Sequence, residues 1–124
     1  MKLQPDTQPH LNTVTSYGGN HIEINAIRYD ESMLLMPQGP VIPWPVAQFS
    51  DLNIDHFTQI AQLKPALVIF GSGAKIRFPR PELLQPLIAA KIGLETMDLQ
   101  AACRTYNILM AEGRNVLAAL IFEK

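Results

Sequence analysis

The chain has 124 residues, a length that fits one domain with a single compact core. Its hydrophobic fraction of 48% and charged fraction of 17% are typical of a globular protein and exclude a disordered or coiled-coil chain. The formal net charge of −1 gives no broad positive field, so we expect no nucleic-acid partner.

Cysteine content and apolar runs limit the class of protein further. Cys103 is the only cysteine, which excludes an intramolecular disulfide and a zinc site built from cysteines. The three histidines show no metal-ligand spacing, so we predict no metal site and no cofactor. The sequence begins without the apolar core of a secretion signal, and no apolar run approaches the length of a membrane span. These features predict a cytoplasmic protein without membrane insertion.

The first part of the chain predicts a tail followed by short antiparallel strands. Residues 1–10 are polar and contain two prolines, which predicts a mobile tail ahead of one α/β domain over 11–124. From Val14 onward the pattern favours strands, with a turn at 17–20 and isoleucines that interleave with polar residues over 21–28. The apolar run 33–36 comes next, and we expect it to continue an antiparallel meander.

A proline-rich segment separates this meander from the rest. Residues 37–45 contain four prolines, which exclude a helix or a central strand because proline lacks the amide donor and fixes φ. Trp44 stands between two of them. Two alternatives are open for it: an exposed anchor for a protein partner, or a buried lid whose indole finds one acceptor. Apolar residues at helical spacing then predict a helix at about 53–62.

The second half alternates strand and helix. Residues 67–70 are entirely apolar, as is typical of a strand covered on both faces. Pro81 opens a helix in which Pro86 is expected to cause a kink or an irregular first turn. Gly93 is expected to end that helix as a left-handed cap, and residues 94–97 to form the next strand.

The end of the chain predicts a helix and a central strand. Leu99 and Tyr106 belong to an apolar stripe, whereas Asn107 is expected on the solvated face of the same helix. Gly113 caps the helix, and the apolar residues 116–122 form the strand.

Two strand-to-helix junctions in this half locate a candidate site. If their strands are parallel neighbours, both loops lie at the carboxyl ends of the strands, where open α/β sheets hold ligands. The candidate ligand-binding residues come from the two junctions and the start of the last helix: Gly71, Ser72, Gly73, Lys75, Arg77, Asp98, Cys103 and Arg104.

Each candidate also has a structural alternative. The glycine turn 71–73 with Lys75 and Arg77 could hold an anion, but it lacks the third glycine of a dinucleotide fingerprint and the Gly-Lys-Ser/Thr of a Walker loop. Asp98 is either a general base or the cap of the following helix. Cys103 is either a nucleophile or a small packing residue. We therefore assign no catalytic residue.

Several blocks of sequence resemble one known family. They are Gly71-Ser72-Gly73, residues 93–98 and 101–109, Glu112-Gly113-Arg114 and residues 116–120, with upstream similarity over 22–37 and at Trp44. The chain is similar to the Mth-type family of unknown function, first described from an archaeal hypothetical protein. Its relatives include a mitochondrial complex I assembly factor and an adipogenesis-associated protein.

The resemblance implies both a fold and a role. The fold is α/β, with three layers: a central mixed sheet with one antiparallel strand, flanking helices and a small additional β layer. No enzymatic activity is established for the family, and its best-described role is in the assembly of a larger complex.

From these observations we expect a non-enzymatic accessory or assembly-type module that binds a protein partner whose identity the sequence does not give. The alternative is a protein that binds a small molecule or anion, or an enzyme, with its site at the carboxyl ends of strands about 66–70 and 94–98. A third hypothesis is a homodimer in which an exposed strand of the meander pairs across a two-fold axis.

Overall fold

The computed structural model describes residues 11–123, and the predicted mobile tail over 1–10 lies outside the described residues. Within that range the chain forms two sheets and three α-helices. The strands are β1 (Val14–Gly18), β2 (His21–Ile24), β3 (Ile27–Tyr29), β4 (Met33–Leu35), β5 (Ile42–Pro43), β6 (Leu67–Gly71), β7 (Gly93–Met97) and β8 (Val116–Leu120). The helices are α1 (Ile54–Gln62), α2 (Gln85–Ala89) and α3 (Leu99–Ala111).

The larger sheet has five strands in the order β5-β4-β8-β6-β7. β6 pairs in parallel with both β8 and β7, whereas β4 is antiparallel to its neighbours β8 and β5. The sheet is therefore mixed, with β4 as its one strand of opposite direction. This arrangement confirms the predicted α/β class with a central mixed sheet.

Two hydrophobic cores cover the two faces of this sheet. Because successive side chains of a strand point to opposite faces, Leu34 and Val68 pack on the side of α1 and α2, whereas Leu35 and Ile69 pack on the side of α3. The small sheet β1-β2-β3 joins α3 on that second side. The result is the predicted three-layer fold with a small additional β layer.

The small sheet consists of two tight hairpins. The second turn, Asn25-Ala26, has positive φ at both residues, 50° and 69°, and separates β2 from β3. The antiparallel meander predicted from Val14 onward is confirmed in β1, β2 and β3. The position of this second turn was not predicted, because it lacks the glycine that usually marks such a turn. The run at 33–36 was misplaced, because its residues 33–35 form β4 of the central sheet rather than continuing the meander.

The helix predicted at 53–62 is confirmed as α1. Asn53 caps it by accepting hydrogen bonds from the amides of Asp55 and His56, at 2.9 and 3.3 Å. Among the described residues, no helix combines the length and apolar character that crossing a membrane requires.

The helix after Pro81 begins irregularly, as the position of Pro86 predicts. A 3₁₀ turn, Pro81–Leu84, precedes the five-residue α2. The predicted left-handed cap at Gly93 was wrong: Lys91 takes the left-handed conformation with φ of 60°, and Gly93 is already the first residue of β7.

Trp44 lies in the core and not on the surface. Its side chain is 2% exposed, and its indole Nε1 donates to the carbonyl of His56 at 3.2 Å. Its ring packs edge-on against Phe57 and Phe70, with centroids 6.0 and 6.3 Å away. Of the two alternatives for Trp44, the structure therefore shows the buried lid whose indole has one acceptor. The candidate role of Trp44 as an exposed partner anchor was wrong.

Candidate functional site

The two strand-to-helix junctions lie side by side, as the topology predicts. Gly71 at the end of β6 is paired with Met97 at the end of β7. The next amide, that of Ser72, donates to the carbonyl of Met97 at 2.9 Å, and the amide of Leu99 donates to the carbonyl of Gly73 at 2.8 Å. The candidate residues on these turns thus share one location.

A shallow cleft of about 310 Å³ opens above the two turns. It brings together Gly73 and Asp98 among the predicted residues, whereas Lys75, Arg77, Cys103 and Arg104 are not part of its wall. The turn between β1 and β2 supplies two further residues that sequence reasoning missed. The full lining is Gly19, Asn20, Gly73, Ala74, Asp98, Leu99 and Gln100.

Gly71 and Ser72 serve packing and turn formation. A Cβ at Gly71 would stand 2.9 Å from Leu120 Cδ2 and 3.0 Å from Ala102 Cβ, so glycine allows α3 to approach β6 closely. Ser72 is fully buried, and its hydroxyl donates to the carbonyl of Lys75 and accepts from the amide of Arg77 at 2.8 Å. Both residues are buried and neither is part of the wall of the cleft.

Asp98 is the N-cap of α3. Its Oδ1 accepts a hydrogen bond from the amide of Ala101 at 2.8 Å, which is the capping role that the sequence left open beside general-base catalysis. The amides of Ser72, Leu99 and Ala101 all donate within the protein. These three amides are therefore not available to an anion at this edge.

Cys103 is a buried packing residue. It lies in the core on the α3 side of the sheet, and burial raises the pKa of its thiol to about 12 despite the opposing effect of Arg104. The side chain is therefore a neutral thiol near pH 7, and its candidacy for a solvent-facing site was wrong. Arg104 itself is exposed on α3 and lies outside the cleft.

Arg77 forms a partly buried ion pair with Glu123. Its guanidinium donates to Glu123 at 2.9 and 3.2 Å and to the carbonyl of Ser72 at 2.6 Å, and it lies 4.7 Å from the centre of the Phe49 ring. The carboxylate of Glu123 also accepts from the amide of Phe49 at 2.7 Å. The hydrogen bond from Arg77, followed by that from Phe49, lowers the pKa of Glu123. The charge of Arg77 is thus compensated within the protein.

Two polar residues of α3 that hydrogen-bond to the first strand region were not among the predicted candidates. The Asn107 amide group accepts from Val14 N at 3.0 Å and donates to Val14 O at 2.8 Å, so its predicted position on a solvated face was wrong. The Tyr106 hydroxyl donates to the carbonyl of Asn12 at 2.7 Å, and burial raises the pKa of this hydroxyl. Together they attach the start of β1 to α3. The partners are more than 90 residues apart, so no local signal could have found them.

Two larger clefts lie away from the carboxyl edge. One of about 650 Å³ runs between Pro37 and Met110, and one of about 600 Å³ has Tyr29 and Trp44 among its lining residues. In the part of the chain that the structure describes, no group of three or more His, Cys, Asp or Glu side chains could hold a metal ion.

Comparison with known proteins identifies the family. A family model described as protein of unknown function (DUF498/DUF598) matches residues 14–121. The chain belongs to the DUF498/DUF598 family. This DUF498/DUF598 member is 44% identical to a protein of Bordetella parapertussis whose crystal structure superimposes with a TM-score of 0.87, covering 93% of this chain and 98% of that one. A solution structure from Bordetella pertussis, described as a Mth938-like domain, is 37% identical with a TM-score of 0.82, covering 99% of this chain and 93% of that one. These matches confirm the resemblance found in the sequence.

Among curated relatives, the DUF498/DUF598 chain is similar to NADH dehydrogenase [ubiquinone] 1 alpha subcomplex assembly factor 3 of Bos taurus. The two are 31% identical over 110 residues, which are 87% of this chain and 59% of the bovine protein. The chain thus spans about three fifths of the length of this relative.

Proposed function

We propose that the protein is a non-enzymatic accessory factor that binds a protein partner during the assembly of a multiprotein complex. The observation that carries the proposal is its similarity, across nearly the whole described domain, to a protein named as an assembly factor. The geometry of the carboxyl edge also supports a non-enzymatic role. Asp98 caps a helix, Cys103 is a buried neutral thiol and Arg77 is paired with Glu123, so the polar groups there have structural partners.

The proposal includes a cellular setting and a binding mode. We place the protein in the cytoplasm, and its action requires no cofactor and no nucleic acid. A self-associated form is compatible with this role, since two-fold symmetric dimers are the commonest soluble oligomers. Light scattering on the purified full chain measures this directly.

The experiment that tests the proposal is recovery of a partner together with a search for turnover. The tagged full chain is isolated from its own cells after mild cross-linking, and the molar ratio of each recovered protein is measured by quantitative mass spectrometry. We expect one stoichiometric partner. It should be recovered equally with the wild type and with Asp98→Ala, because Asp98 caps α3 and does not bind the partner. Absence of a stoichiometric partner, combined with conversion of a metabolite that Asp98→Ala abolishes, would establish an enzyme instead.

A further inference from the structure

The loop that follows β6 presents apolar side chains to solvent. Ile76 is 53% exposed and Phe78 is 73% exposed, which makes Phe78 the most exposed large hydrophobic side chain among residues 11–123. Both lie in the segment 74–80, between the glycine turn and the 3₁₀ turn at Pro81. Exposed aromatic residues of this kind are enriched at protein interfaces.

The loop is held in place from beneath. Between the two exposed residues, Arg77 turns inward and bonds to Glu123 and to the Ser72 carbonyl, and Ser72 closes the turn through Lys75 and the Arg77 amide. The backbone on each side of Ile76 is hydrogen-bonded to the domain. The loop is therefore already ordered before a partner binds. A preorganised loop loses less entropy when a partner docks.

The charged residues within the loop 74–80 are all basic, whereas the exposed Asp51 and Glu82 lie at the borders of the surface. Residues 56–81 contain no Asp or Glu, and Lys75 and Arg80 are exposed within them. Arg77 is neutralised by Glu123, which leaves Lys75 and Arg80 as the cations that a partner meets. Arg80 lies 3.9 Å from Glu82, but both side chains are about 70% exposed, and such a surface pair contributes little.

A small pocket lies directly beside the loop. Its volume is about 290 Å³, and Pro79 and Arg80 of the loop form part of its wall. The remaining wall residues come from a 3₁₀ turn at Phe49–Asp51, from the residue that follows it and from the 3₁₀ turn Pro81–Leu84: they are Phe49, Ser50, Leu52 and Leu83. The pocket can therefore take an apolar side chain next to a cationic group.

We propose that the loop surface formed by Lys75, Ile76, Phe78 and Arg80, together with this pocket, docks a protein segment that carries both apolar and acidic side chains. The inference rests on the proposed function and specifies the chemistry of its partner. An apolar side chain of that segment fills the pocket, and its carboxylates pair with Lys75 and Arg80. A second copy of this chain does not fit, because the same cations would face each other. A membrane surface does not fit either, since lipid-binding clusters typically contain about four to eight basic residues.

The test is site-specific photo-cross-linking in the cells that make the protein. A benzophenone amino acid replaces Phe78 in the full chain, and a control chain carries it at Ile108, which is 60% exposed on α3, on the opposite side of the central sheet. We expect position 78 to give an adduct with one protein, at a peptide that contains acidic and apolar residues. The double change Lys75→Glu and Arg80→Glu should reduce that adduct about tenfold, whereas Arg114→Glu at another exposed site should not.

Other outcomes overturn the inference in distinguishable ways. A protein adduct at 108 but not at 78 would leave the proposed function standing and remove this surface from it. No protein adduct at either position would count against both. Adducts of 78 with a second copy or with lipid, or an adduct unaffected by charge reversal, would each contradict the proposed partner chemistry. Circular dichroism of the charge-reversed chain verifies that it folds.

Discussion

Single residues at the carboxyl edge are held by close packing, beside the cleft that opens above the two turns. Gly71 is the decisive example, because the space that a side chain would need is occupied by Leu120 from β8 and Ala102 from α3. The Cβ of Ala102 belongs to a buried helix position and cannot move independently. A glycine that resembles part of a phosphate loop in sequence is therefore a contact between a strand and a helix.

We expect Gly71→Ala to lower the free energy of unfolding by about 1–3 kcal/mol, because the added methyl group overpacks the contact between β6 and α3. Urea denaturation measures the change. Gly18→Ala is the matched control, since a Cβ there has no atom within 4 Å and the residue lies at the end of β1. Equal losses in the two variants would contradict the packing explanation.

Cys103 allows a prediction about pH at the same scale. The pKa of its thiol is raised from 9.0 to about 12 in the folded protein, so between these values the unfolded chain releases a proton that the folded chain keeps. Stability is therefore retained below pH 9 and falls above it, by up to about 1.4 kcal/mol per pH unit. We expect a thiol reagent at pH 8 to modify Cys103 only after unfolding.

The control for the pH effect is Cys103→Ala. It should be less stable than the wild type at pH 7 because it leaves a small cavity, but its unfolding free energy should decline less steeply above pH 9. Rapid modification of the folded wild type at pH 8 would show that the thiol is accessible and return it to the list of reactive candidates.

At the scale of elements, the fold depends on the attachment of β1 to α3. The outer edge of β1 would expose an amide and a carbonyl at Val14, and Asn107 satisfies both with one side chain. This pairing imitates a neighbouring strand, which protects an edge that could otherwise pair with another chain. The small sheet is thereby held against the α3 core.

We expect Asn107→Ala to cost about 1–3 kcal/mol, because it leaves the partly buried amide and carbonyl of Val14 without partners. Hydrogen exchange of the Val14 amide should accelerate more than that of amides in β6. Gln100→Ala, at an exposed position of the same helix, should leave both quantities nearly unchanged. If Val14 exchanges at the wild-type rate in Asn107→Ala, the attachment of β1 depends on other contacts.

The elements also show which parts of the fold were accessible from sequence. The helix at about 53–62 was predictable because its periodicity and its Asn53 cap are local signals. The position of 33–35 was not, since β4 joins the central sheet by pairing with residues 118–120, far along the chain. The Asn25-Ala26 turn and the left-handed Lys91 were missed because neither position carries the expected glycine.

For the whole molecule, the location of the candidate site followed from topology, but its chemistry did not. Parallel pairing of β6 and β7 was enough to place the two junctions together. Arg77 is unavailable to a ligand because it pairs with Glu123, 46 residues away. Cys103 is unavailable because its face of α3 is buried in the core. Long-range partners determine which groups remain available, and these were beyond local sequence patterns.

The two cores share the strands of one sheet, and this predicts cooperative unfolding. Leu34 and Leu35 are adjacent in β4, are both fully buried, and face opposite cores. We expect Leu34→Ala and Leu35→Ala each to lower the free energy of unfolding by about 2–5 kcal/mol. Because β4 cannot leave one core without leaving the other, each variant should still unfold in a single transition.

Two probes measure this cooperativity independently. Fluorescence of Trp44, the single tryptophan, reports on the core that contains Leu34, whereas far-ultraviolet circular dichroism reports on the helices and sheets of both faces. The two unfolding curves should coincide in both variants, and Ile108→Ala on the exposed face of α3 should change them by no more than about 0.5 kcal/mol. A Trp44 transition that remains at the wild-type midpoint in Leu35→Ala would show that the cores unfold separately, and the central sheet would then not couple them.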